Sequence, residues 1–154
     1  MLRTSVPLIG ALGFIGKRGE LPMRALTITL KVASFIFIMV AALHLVFGLG
    51  ADAMLGAVVS PETLMEPSLN SQNRFYGVAF SFYGVALYLC AGDIERHEPI
   101  LKALLYVFFL AGVARIISWV THGAPTLPII GLMATELLLP PGFLVWLRKA
   151  KNEA

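Results

Sequence analysis

Charge is scarce in this chain. Only 14% of the 154 residues are Asp, Glu, Lys or Arg, against 58% hydrophobic, and the mean hydropathy is +0.82. A soluble domain carries roughly 25% charged residues because its surface must stay hydrated. A water-soluble enzyme and a nucleic-acid reader are excluded on that ground. Cysteine is nearly absent too. Cys90 stands alone inside an apolar run, so no intrachain disulfide can form and a secreted disulfide scaffold is excluded. Signature motifs are missing as well: no HExxH, no paired cysteines, no Walker A loop and no GxGxxG run. His44, His97 and His122 are in three different segments, a spacing that specifies no metal. No cofactor is expected.

Long apolar runs are what the chain has instead. Four of them, at about 25–50, 75–92, 100–120 and 128–147, are each long enough to cross ~30 Å of hydrocarbon at about 1.5 Å per residue. Backbone polar groups inside lipid must be satisfied within their own segment, so each run is read as a helix. The expected fold is all-α, an integral membrane four-helix bundle over 25–148 with a tail at 149–154. Residues 1–24 are read as an interfacial segment or an extension from a start upstream of Met23, in preference to a cleaved signal. Between the first two runs, AMLGAVVSPETLMEP is apolar enough to lie across the bundle mouth as a short helix or lid. The DIERHEP stretch, Asp93 to Pro99, reads as a solvated turn.

Orientation follows from the basic residues. Nine of the 12, Arg3, Lys17, Arg18, Arg24, Arg96, Lys102, Arg148, Lys149 and Lys151, flank the ends that an antiparallel bundle places on one side. By the positive-inside rule both termini are expected in the cytoplasm, with the protein in a bacterial inner membrane. The pI near 9.2 therefore reports topology rather than nucleic-acid binding.

Ionisable groups inside a span cost at least ~2.5–3.5 kcal/mol each, so they face the bundle and find partners. Lys31 is near enough to a helix end to snorkel. The other three share a depth. His44 and Arg115 are about 9 Å below the outer ends of their runs and Glu136 about 12 Å. Gln72, Asn73 and Arg74 sit at the outer start of the second helix, so all four helices bring polar groups to the outer half of the bundle, with Tyr76, Tyr83, Ser118 and Trp119 nearby. Small residues mark packing faces there: Gly77, Ser81 and Gly84 on the second helix, Ala111, Arg115 and Ser118 on the third, Ala41, His44 and Gly48 on the first.

Two readings stay open. In one, His44, Gln72, Asn73, Arg74, Tyr76, Arg115, Ser118 and Glu136 line an outward-opening pocket for an amphiphile such as a quinone, a sterol-like lipid or a fatty acid. In the other, Arg115 and Glu136 form a pair that locks the bundle.

The segments HLVFGLGAD (His44 to Asp52), SQNRFYG (Ser71 to Gly77), DIERHEPIL (Asp93 to Leu101), GVARIISW (Gly112 to Trp119) and ELLLPP (Glu136 to Pro141) occur in an order that resembles a bacterial family of small four-span membrane proteins, the DUF4345 domain. The resemblance covers about two thirds of the chain and implies architecture without an activity. The expected role is a non-catalytic binding or accessory membrane protein. Its expected partners are membrane lipid, a lipid-like small molecule, and a membrane protein or second copy of the chain. The alternatives are an integral-membrane enzyme acting on a lipidic substrate, or a small transporter.

Overall fold

The computed structural model describes residues 9–153, with side-chain surroundings over 21–152. Among the described residues six helices follow one another: α1 (Ile9–Phe47), α2 (Gly50–Met54), α3 (Pro61–Leu64), α4 (Pro67–Gly92), α5 (Ile94–His122) and α6 (Leu127–Glu153). Among the described residues there is no strand. Four helices among the described residues are long and apolar enough to cross a membrane: Leu21–Phe47, Pro67–Gly92, Ile94–His122 and Leu127–Asn152. The amino-terminal reading falls partly on residues 1–8, which lie outside the described residues. Over 9–24 the backbone is helical and runs into the first span, with Pro22 inside it.

The helices are longer than the apolar runs. A helix needs its backbone bonds closed in lipid, yet nothing obliges it to stop where the hydrocarbon stops. So α4 starts at Pro67, two turns before the apolar run at Phe75. Pro67 fits there because the first helical N–H has no intrahelical partner to lose. Glu66 caps this end, accepting from the amides of Leu69 at 2.5 Å and Ser68 at 3.1 Å, and those two bonds hold its carboxyl below the ordinary range. The same principle corrects the reading of Asp93 to Pro99 as a turn. Asp93 alone connects α4 to α5, and its carboxylate accepts from the Arg96 amide at 3.1 Å as a helix cap. Polar Glu95, Arg96 and Glu98 form the hydrated first turns of α5. Glu98 there pairs with Lys102 at 2.7 Å and with Lys151 of α6 at 2.6 Å.

The four long helices form a ring in the order α1, α4, α5, α6. Two pairs within it are intimate. A Cβ added at Gly84 would meet Ile38 Cγ1 at 2.8 Å and the Ser34 carbonyl at 3.1 Å, and one at Gly77 the Ala41 carbonyl at 3.1 Å. The missing side chains let α4 settle on α1, where the Ser34 hydroxyl donates to the Gly84 carbonyl at 2.7 Å. Between α5 and α6 the same part is played by Gly112, whose added Cβ would lie 2.8 Å from Leu137. The small face of α5 thus runs through Gly112 rather than Ala111 and Ser118; Ser118 is exposed.

The two ends of the ring differ. At the end carrying Asp93 and the carboxyl terminus, Leu26, Leu30, Leu87, Leu101, Leu105 and Leu147 pack into one core with Cys90 and Ala91. At the other end the 48–66 segment crosses the mouth. The Thr126 hydroxyl donates to the Gly56 carbonyl at 2.7 Å, and Gly56 sits so close to Pro128 that a Cβ there would meet it at 2.8 Å. The lid is thereby strapped to the α5–α6 connection. Outward faces are apolar, with Phe35 63%, Phe82 74% and Leu138 70% exposed. Such a surface is of the kind that a membrane or another apolar partner covers.

Candidate functional site

The site begins with a reversal of the chain. Helix α1 stops after Phe47, where Gly48 takes a φ of 53°, a conformation that a side chain would strain. The Gly48 amide donates to His44 O at 2.9 Å and the Ala51 amide to Gly48 O at 3.0 Å, so α2 folds back over the end of α1. This brings Asp52 onto His44, eight residues earlier. The His44 ring, 3% exposed, has Nδ1 2.8 Å from the Val40 carbonyl and Nε2 3.3 Å from Asp52 Oδ1. Both ring nitrogens thus face acceptors, one a backbone carbonyl and the other a carboxylate. The other Asp52 oxygen accepts from the Asn73 amide nitrogen. His44, Asp52 and Asn73 therefore form one cluster built from α1, α2 and α4.

A second polar element stands on the opposite helix pair. Arg115 Nε of α5 donates to Glu136 Oε2 of α6 at 2.7 Å. Glu136 is 4% exposed, whereas the Arg115 side chain is one third exposed. Guanidinium keeps its charge in proteins, so Glu136 is the partner that balances it. Among the described residues the two terminal nitrogens of Arg115 meet no protein acceptor.

Between these elements the bundle is hollow. A cavity of about 540 Å³ has His44, Asp52, Arg115 and Glu136 in its wall together with apolar side chains such as Leu139 and Phe143, and it reaches down to Leu30, Leu87 and Leu105 of the core. A second cavity of about 400 Å³ is walled by Asn73, Tyr76 and Ala111. Phe37, His44, Asp52, Phe80, Tyr83 and Phe108 belong to both walls. Aromatic contacts make that partition: Phe37 lies 4.5 Å from Tyr83 and 5.2 Å from Phe108 between ring centroids, and Tyr83 donates to the Leu104 carbonyl at 2.8 Å.

Of the residues singled out in the sequence, His44, Asn73, Tyr76, Arg115 and Glu136 are thus brought to the walls of two adjoining cavities. Three are placed elsewhere. Gln72 and Ser118 are exposed and in neither wall. Arg74 reaches back to the carbonyls of Leu45 and Val46, so it satisfies the last turn of α1. Asp52 was not among the site residues expected from sequence. Its signal lay in Gly48 of HLVFGLGAD, which permits the reversal that sets an acid against His44. Among the described residues no three metal-ligating side chains converge.

The sequence profile of a family described as a domain of unknown function, DUF4345, matches residues 25–147, nearly the whole chain. Comparison with curated proteins and with solved structures returns no match.

Proposed function

The chain belongs to the DUF4345 family of multi-pass membrane proteins, to which no activity is attached, and we propose that it is a non-catalytic binding protein for a lipid-like amphiphile. The observation that carries this reading is a cavity of about 540 Å³ whose wall is mostly apolar and holds the His44–Asp52 and Arg115–Glu136 pairs on its two sides. Its size falls within the roughly 300–1,000 Å³ of small-molecule pockets. An acyl or isoprenoid tail fits among Phe37, Leu139 and Phe143, and the terminal nitrogens of Arg115 offer donors to an oxygen on the head. The lid end faces away from the cytoplasm of a bacterial inner membrane, because most of the basic residues flank the opposite end.

One observation favours a second reading, an enzyme acting on a lipid. His44 on the cavity wall is held by a carboxylate, the arrangement that general acid–base chemistry uses. A transporter gains no such support, since the Leu-packed core closes the far end.

Native mass spectrometry of the protein released from detergent tests the binding reading. The expected result is a retained amphiphile at one per chain, held less well when Leu139→Trp adds bulk to the cavity wall. A bare chain in every preparation, or retention unchanged in Leu139→Trp, would overturn it. Release of a chemically altered lipid, abolished by His44→Gln, would favour the enzyme.

A further inference from the structure

Arg115 keeps donors that nothing in the protein meets. Its Nε donates to Glu136 Oε2 at 2.7 Å, and among the described residues neither terminal nitrogen reaches an acceptor. Those nitrogens are also within reach. The side chain is one third exposed, and among the described residues the buried polar side-chain atoms without a partner are Asn70 Oδ1 and Asn73 Oδ1, so the guanidinium nitrogens are open to contact. Arg115 and Glu136 both belong to the wall of the 540 Å³ cavity. Inside a membrane span a guanidinium is stabilised by facing such a space rather than hydrocarbon. The same wall limits the charge of an occupant. It holds two carboxylates, Asp52 and Glu136, with Arg115 and His44. With His44 protonated the four charges cancel, and with His44 neutral one negative charge is left. In neither state is there a positive charge to spare for an anion.

We propose that the amphiphile in this cavity has an uncharged head whose acceptor oxygen, as in an ester or a ketone, takes a hydrogen bond from the terminal nitrogens of Arg115. This deepens the binding reading above and rests on it. Two requirements select the head. Free N–H groups on a guanidinium call for an acceptor, so an ammonium head, which brings only donors and a second positive charge, is disfavoured. A carboxylate or a phosphate monoester has oxygens to offer. It would place them beside Glu136, already 2.7 Å from the same guanidinium, and like charges repel strongly where the dielectric is low. An ester or ketone oxygen meets the donors without adding a charge.

The test titrates the full chain, immobilised in dodecyl maltoside micelles, with three tritiated probes of similar length at low mole fraction, read by scintillation proximity. Methyl palmitate carries an uncharged acceptor, hexadecyl sulfate a permanent negative charge, and heptadecane no polar head. Methyl palmitate is expected to bind about tenfold more tightly than heptadecane, the effect of a net hydrogen bond from a charged donor. It is expected to exceed hexadecyl sulfate by about tenfold as well. In the double variant Arg115→Met with Glu136→Gln, which strands no charge, the ester is expected to fall to the level of heptadecane. Methyl palmitate binding no better than heptadecane would overturn the role of the head oxygen, and hexadecyl sulfate binding as tightly as the ester would overturn the exclusion of charge. Both results leave the binding reading standing. An ester preference that persists in the double variant would overturn the assignment to Arg115. No probe binding above protein-free micelles would overturn the binding reading and this proposal with it. The three probes on the unaltered protein decide the nature of the head even where the double variant does not fold.

Discussion

The Asp93 end and the lid end of this bundle are made from the same four helices and do opposite things with them. At the Asp93 end Leu30 and Leu101 are 1% exposed and Leu147 2%, packed against one another in a core with no ionised group. At the lid end the helices carry His44, Asn73, Arg115 and Glu136 inward and stand around open space. The difference has a physical cause. Leucines of neighbouring helices interdigitate and fill volume, since any apolar surface is a partner for another. A polar side chain in a low-dielectric interior is held where its particular partner is, and the volume around the pair is left unfilled. Close packing is thereby concentrated at one end and polar-walled open space at the other.

The largest test of that contrast is a pair of truncations. Leu101→Ala should cost about 2–5 kcal/mol, as a leucine lost from a packed core does, while Leu139→Ala in the cavity wall should cost less than about 1 kcal/mol. Unfolding in mixed micelles with rising sodium dodecyl sulfate measures both, and equal costs would erase the distinction between the ends. Next in size is the ion pair. Glu136→Gln should cost about 2–4 kcal/mol, discounted from a fully buried pair because Arg115 is one third exposed. The double Gln variant, which strands no charge, should regain stability over Glu136→Gln. A double variant no better than Glu136→Gln would show that the two residues act independently.

The helix contacts sharpen the comparison further. Gly84→Leu drives a side chain into Ile38 and the Ser34 carbonyl and should cost about 1–3 kcal/mol, while Gly131→Leu on α6, with open space around it, should leave the melting temperature unchanged. If the two melt alike, the α1–α4 approach is not the tight one. The smallest effect belongs to the lid. Thr126→Val removes a single strap to Gly56 O, worth about 0.5–1.5 kcal/mol. Hydrogen exchange over residues 49–66 should speed up severalfold without a matching change in α1 or α4. Faster exchange throughout would mean that the lid is part of the bundle's cooperative unit.

By itself the sequence determined what depends on distance along the chain. The length of each apolar run makes four helices, because lipid leaves the backbone no other way to bond, and counting residues from the run ends places His44, Arg115 and Glu136 at one depth. Gly77 and Gly84 were legible as a packing strip for the same reason, since helical spacing is a property of one segment. Helix ends were not. Polar residues at a membrane edge read equally as loop or as hydrated helix, and so Asp93 to Pro99 passed for a turn until the Asp93 cap was seen to start α5.

Only the tertiary structure decided which groups meet. Depth does not say how each helix is rotated about its axis, and that rotation sends Arg74 to the end of α1 and Ser118 outward while turning Asn73 and Arg115 to the cavities. Asp52 reached His44 through a positive-φ glycine, and the orphaned oxygen of Asn73 exists because Asp52 holds the other end of that amide. Partners, volumes and unmet acceptors are relations between segments, and no segment contains them alone.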